Sequence, residues 1–193
     1  MLERFSPEFR ERHIEAPYTG ALVAVDTFFV GTLKGGGKIF LQTAIDCHSR
    51  YAWARLYPSK LPVTAVHLMN SDVLPTFEAN EVKIETVLSD NGREFCGRPD
   101  QHPYELFLQL EDIAHRTLLD EHFRVEGRRT WFETSDEMQA VLDEYLETYN
   151  TKRPHQGRGM NGRTPIRAFT EGMPKTSNTE VTSQTKTAKL KAA

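Results

Sequence analysis

Cysteine is scarce in this chain. Cys47 and Cys96 are the only two in 193 residues and form no CxxC pair, so a disulfide framework is excluded and no structural zinc site is suggested by spacing. Both read as buried thiols. Long apolar runs are missing as well: nothing approaches the ~20 consecutive apolar residues that span a bilayer, and the opening MLERFSPEFRERH is too charged for a secretory signal. These absences predict a cytoplasmic protein with no membrane partner. An overall positive charge is also lacking, since the net charge is −3, which argues against a uniformly basic nucleic-acid surface. The average hides an asymmetry: residues 1–150 hold 15 Lys and Arg against 25 Asp and Glu, while residues 151–193 hold 9 against 2. A basic end on an acidic body reads either as a phosphate contact or as a solvated run.

What is present suffices for one core. Hydrophobic residues make up 38% of the chain and aromatics 10%, which predicts a single domain over residues 21–170. Residues 1–20, of mixed polarity with Pro7 and Pro17, read as a leader or truncated connection, and residues 171–193 as a disordered basic tail. ALVAVDTFFV, IFLQTAID and YAWARLY are strand-length segments rich in β-branched and aromatic residues, joined by the short turns KGGGK and CHSR. They predict an antiparallel meander. From Leu61 to about Phe77 the apolar period becomes helical, before KIETVLS returns as a fourth strand, parallel to its neighbour because a helix leads into it. PYELFLQLED reads as a short helix and IAHRT as a fifth strand. TSDEMQAVLDEYLETYN is the clearest helix, with Thr134 and Glu137 as a capping box and Met138, Val141, Leu142, Tyr145, Leu146 and Tyr149 in one stripe for a core or a partner.

Within this order one segment raises a chemical question. In VLSDNGREFCG, residues 87–97, an apolar strand stops at a carboxylate, Asp90, followed by Asn91 and Gly92. A simple turn explains those residue types. The alternative is half of a metal site, which requires a second half. Asp26 is the one carboxylate in the run from Ala21 to Thr32, and a charge inside a strand is costly unless paired, hydrogen-bonded or metal-bound. The element order puts the first strand next to the fourth, roughly 4.8 Å away, so the two carboxylates are placed to share cations. Two divalent ions ~3.5–4 Å apart are a known device for in-line displacement at phosphorus. For Asp26 the competing reading is a strand Asp bonded to neighbouring backbone.

VAVDTFFVG, IFLQTAIDCHSRYAWARLY, TVLSDNGREF and YNTKRPHQGRGMNGRTPIRAF together resemble the integrase catalytic core of bacterial insertion-sequence transposases, over about Ala21 to Phe169. The resemblance implies an α/β, ribonuclease H-like domain with a five-stranded mixed sheet and an Asp-Asp-Glu triad. It also implies two Mg²⁺ or Mn²⁺ ions, and DNA strand cleavage and transfer during transposition. Asp26 and Asp90 match the first two acids. The third is unassigned, because LEDIAHRTLLDEHFR passes directly from His115-Arg116 to Thr117, without the Pro, Asn-Gly and Glu-Arg segment in which the family places its catalytic Glu. Near residue 117 the chain is therefore expected to be shortened, and its metal site incomplete. Glu94, Glu121 and Glu126 are the acids at usable distances, all three expected to be surface carboxylates.

The implied activity is that of an integrase core fragment, impaired or inactive; the alternative is a non-catalytic remnant or regulatory module that binds nucleic acid or a partner. Implied partners are DNA, and a second copy of the chain or a full-length transposase. Relatives carry helix-turn-helix segments before the core, whereas about twenty residues precede the first strand here, so nonspecific DNA contact is expected. Arg153, His155, Arg158, Arg163 and Arg167 are its candidate residues.

Overall fold

The computed structural model describes residues 16–33, 35–118 and 134–174. β1 (Val23–Leu33), β2 (Gly37–Asp46) and β3 (Ala52–Tyr57) form the expected antiparallel meander. β4 (Thr86–Asp90) pairs in parallel with β1, and β5 (Ala114–Leu118) in parallel with β4. The sheet order is β3-β2-β1-β4-β5. β1 thus lies at the centre, because the helical crossover returns the chain to its free side.

The crossover is not one regular helix. α1 (Pro62–Leu68) passes through a π-helical turn, Met69–Val73, into α2 (Leu74–Glu78). Pro75 explains the change: it has no N–H to donate, and its ring would collide with a carbonyl four residues back in a regular helix. The wider turn relieves the conflict, and the Leu74 N–H bonds to the Met69 carbonyl, five residues back. α3 (Pro103–Leu110) precedes β5, and α4 (Ser135–Thr151) and α5 (Pro165–Glu171) follow it.

The main core gathers Val23, Val25, Ala44 and Val87 from the sheet with Leu68, Met69, Val73 and Phe77 from the crossover, and with Tyr104, Leu108 and Phe169. Phe169 of α5 meets Tyr51, Trp53 and Phe77 at ring separations of 5.3, 6.4 and 5.2 Å. Aromatic pairs at such offsets add to the gain from burial.

α4 begins where expected: the Thr134 side chain accepts the Glu137 N–H. Its apolar stripe, however, is not core. Val141 and Tyr145 are 52% and 53% exposed, and the buried residue of the helix is Asn150. α4 lies along the edge strand β3. Asn150 accepts the Ala52 N–H at 2.9 Å and donates to the Ala52 carbonyl at 2.7 Å, and the Gln139 side-chain oxygen accepts the Leu56 N–H at 2.7 Å. An unpaired strand edge must be covered or it recruits another strand; here side-chain amides complete the ladder. Asn150→Ala should leave both backbone groups of Ala52 without partners and cost about 2–4 kcal/mol, read as a lower denaturation midpoint. An unchanged midpoint would mean that water replaces the amide.

Among the described residues, no helix is long and apolar enough to cross a membrane.

Candidate metal centre at the ends of β1 and β4

β1 and β4 align with Val23 opposite Val87 and Ala24 opposite Leu88. Asp26 and Asp90 each lie two residues past the Ala24–Leu88 pair, so strand alternation sends both side chains to the same side of the sheet. Both are half-buried. Asp26 Oδ1 accepts the N–H of Thr27 at 2.7 Å, and Asp90 Oδ1 accepts the N–H of Gly92 at 2.9 Å. The Asp90 bond is the turn chemistry expected of Asp-Asn-Gly, so turn and metal readings coexist in one residue.

A structural strand Asp looks different in the same molecule. Asp46, at the end of β2, is fully buried and accepts from the Gly20 N–H, the Ser49 N–H and the Ser49 hydroxyl. Asp26 has one backbone donor and an opposing field. Its carboxyl is held above the ordinary Asp value, chiefly by burial. The Thr27 N–H opposes that shift, the negative charge of Asp90 adds to it, Lys60 opposes it and Glu94 adds to it.

Glu94 is the main surprise of the site. Expected at the surface, it is 1% exposed, and one of its oxygens lies 2.7 Å from the ammonium of Lys60. The reason is the tight turn at Gly92. A Cβ there would stand 2.6 Å from Glu94 Oε2 and 2.8 Å from Asp90 Oδ1, so only a glycine lets the two carboxylates close over it. Lys60 is thus paired with Glu94, and the charges of Asp90, Lys60 and Glu94 all reach Asp26, but the three carboxylates are not gathered closely enough to share one ion as they stand. Glu121 and Glu126 lie outside the described residues; the junction near residue 117 where shortening is expected falls inside β5, whose pairing with β4 continues across Arg116, Thr117 and Leu118.

The donor set suits a hard divalent cation. Asp26 and Asp90 offer carboxylate oxygens, one on each oriented by a backbone N–H, and their mutual repulsion would be relieved by a cation between them. Lys60 supplies positive charge at the same place.

The expected nucleic-acid residues are placed along the 152–167 segment, but in different states. Arg153 is exposed, with its guanidinium 5.9 Å from the centre of the Tyr149 ring. His155 packs edge-on against Tyr149 at 4.7 Å, and burial, then Arg153 and Arg50, lower its pKa, so it is neutral near pH 7. Arg158 is exposed. Arg163 donates to the Met160 and Gly159 carbonyls and to Glu171, and Arg167 donates to the same Glu171. Arg163 thus ties the loop before α5 to Glu171, whereas Arg167 pairs with Glu171 within α5 itself.

Residues 114–165 match a family model described as Integrase core domain; the match covers β5 and α4 and stops short of Asp26 and Asp90. The fold is also that of solved integrases. The catalytic core of HTLV-2 integrase in complex with magnesium, in its dimeric form, aligns over 79% of this chain and 97% of its own, with a TM-score of 0.54 at 12% identity. The BIV integrase catalytic core aligns over 79% and 95%, with 0.52 at 17%. A simian T-cell lymphotropic virus intasome in complex with PP2A regulatory subunit B56 gamma aligns over 91% and 63%, with 0.55 at 11%. Identities this low establish the architecture alone. The search of curated proteins found no match.

Proposed function

We propose that this chain, which has the ribonuclease H-like fold of integrase catalytic cores, is a DNA strand-transfer core of the transposase and integrase type whose activity is impaired. The observation that supports this reading is the pair Asp26 and Asp90. Two half-buried carboxylates stand at matched positions on adjacent parallel strands, and the negative charge of Asp90 bears on Asp26. A fold does not settle function; this pair on this fold is what argues for phosphoryl-transfer chemistry.

Asp26 and Asp90 would hold Mg²⁺ or Mn²⁺, as the resemblance to insertion-sequence transposases implies. When bound, such ions supply the charge that draws an attacking oxygen and a phosphate together. The protein's own part is orientation. The Thr27 and Gly92 N–H groups fix one oxygen of each Asp, and strand pairing fixes the spacing. Arg153 and Arg158, exposed on the loop after α4, would offset phosphates of the DNA backbone. Impairment follows from the unassigned third acid: with two carboxylates the ligand shell is incomplete, and placement errors near 1 Å cost rate heavily.

A second reading has its own observation. Glu94 is buried near Asp90 and held by Lys60, so in an active enzyme it would serve as the third acid once released from Lys60 toward the pair. A nicking and strand-transfer assay in Mn²⁺ on a short duplex separates the two. Activity far below that of intact relatives, unchanged in Glu94→Gln, is the expected result. Activity abolished by both Asp26→Asn and Glu94→Gln would replace impairment with the Glu94 reading. Activity that survives Asp26→Asn would overturn the site.

A further inference from the structure

On the opposite face of β4 from Asp90 lies a second cluster with a different donor set. Cys96 Sγ, a carboxylate oxygen of Glu105 and a ring nitrogen of His115 all lie within 4.8 Å of one another, and all three residues are half-buried. They come from three elements: the loop after β4, the first turn of α3, and β5. We propose that Cys96, Glu105 and His115 form a site for a zinc-class divalent ion, separate from the Asp26–Asp90 pair. This inference does not depend on the strand-transfer reading.

The hydrogen bonds are compatible with one choice of ligand atoms. With the Ser89 hydroxyl donating to the Asp90 carbonyl at 2.8 Å, Ser89 Oγ accepts from His115 Nε2, also at 2.8 Å. In that tautomer Nε2 carries hydrogen, and Nδ1 is the nitrogen left to bind metal. Nδ1 faces Glu105 Oε1 at 3.1 Å. Two donors each about 2.0–2.1 Å from one tetrahedral ion stand about 3.3–3.4 Å apart, so a small movement converts this contact into two bonds to a shared ion. The Nε2–H to Ser89 bond then has the role usual behind a ligating histidine, fixing ring and tautomer. The Tyr104 ring packs edge-on against His115 at 5.8 Å.

The third donor decides the class of ion. Thiol, imidazole and carboxylate together suit zinc and its neighbours, whereas Mg²⁺ and Mn²⁺ favour all-oxygen sets such as the Asp pair. Burial, the largest influence, holds the Cys96 thiol above its ordinary value, and ligation would expel its proton. The fourth position would fall to water. A further sign of an incomplete polar shell is the Tyr104 hydroxyl: fully buried, it has no hydrogen-bond partner among the described residues. Both Ser89 Oγ and Cys96 Sγ also contact the Asp90 carbonyl, at 2.8 and 3.5 Å. An ion here would pin the 91–102 loop to β5 and steady the backbone that presents Asp90.

Cobalt(II) titration of the untagged, reduced chain tests the site, because Co²⁺ reports thiolate ligation by a charge-transfer band and tetrahedral geometry by intense visible bands. One equivalent should give both, and Zn²⁺ should bleach them. Cys96→Ser should remove the charge-transfer band. Glu105→Gln should keep that band but weaken binding at least tenfold, and Asp26→Asn should leave both unchanged. Metal-free melting curves for each variant show that the fold survives. Absence of the charge-transfer band in the folded wild-type chain, its persistence in Cys96→Ser, or its loss in Asp26→Asn would overturn the proposal.

Discussion

Asp26→Asn should raise the melting temperature of the metal-free protein at neutral pH while nearly abolishing its stabilisation by Mn²⁺. The sign follows from the raised carboxyl of Asp26. Between the ordinary Asp value of about 3.9 and its own higher value, the folded chain binds a proton more tightly than the unfolded chain does. Stability contributed by this group is therefore present at low pH, falls as pH rises through that interval, and stays reduced above it. Asparagine carries no charge to desolvate and none to repel Asp90 and Glu94, so the variant lacks that loss. A cation reverses the comparison. At a concentration a hundred times its Kd, Mn²⁺ should add about 2.7 kcal/mol to the wild type and far less to the variant. Melting curves from pH 3 to 8, with and without Mn²⁺, provide the check. A variant that is less stable without metal and responds equally to Mn²⁺ would make Asp26 a structural carboxylate like Asp46.

Lys60→Met should destabilise the metal-free protein strongly. Glu94 is 1% exposed and would lose its cation, and an uncompensated buried charge costs about 3–5 kcal/mol. Lys60 is itself 39% exposed, so water can partly replace it, and the lower end, about 3 kcal/mol, is expected. Adding Glu94→Gln should recover most of the loss, since the orphaned charge is removed, and a double-mutant cycle isolates the pair. Mn²⁺ should then stabilise Lys60→Met by more than it stabilises the wild type, because the ion supplies the charge that the ammonium supplied. Equal Mn²⁺ shifts in the two proteins would confine Glu94 to a structural ion pair.

The two variants probe different layers of one site, and those layers differ in how legible they are along the chain. Asp26 and Asp90 are conspicuous in the sequence because one lies inside an apolar strand and the other ends one, where a charge is costly unless it is paired, hydrogen-bonded or metal-bound. Their adjacency also follows from local patterns: three strands on short turns, then a helical crossover, leave the free side of β1 as the place for β4. The capping box at Thr134 is equally local, since cap and N–H lie three residues apart.

Other features depended on contacts between distant segments. Glu94 looks like any loop carboxylate in VLSDNGREFCG; its burial comes from the turn at Gly92 and from Lys60, thirty-four residues earlier. The stripe on α4 suggested a core or a partner contact, whereas the neighbour of that helix within the chain is a strand edge, to which its polar residues Gln139 and Asn150 bond. Arg163 and Arg167 read as DNA contacts in the sequence, which gives no sign that both guanidinium groups bond to Glu171 and that of Arg163 to two carbonyls as well.

The sequence alone determined the fold class and the adjacency of β1 and β4, and singled out Asp26 and Asp90 as candidate acids, because periodicity, turn chemistry and the cost of a charge in a strand act over short stretches of chain. Only the tertiary structure decided the surroundings of those acids. Cys96, Glu105 and His115, for which the scarcity of cysteine and the lack of CxxC spacing give no hint, meet because α3 packs against β5 and parallel pairing sets His115 beside Val87. Burial and electrostatic fields depend on what folding brings near, and that is a property of distance in space rather than along the chain.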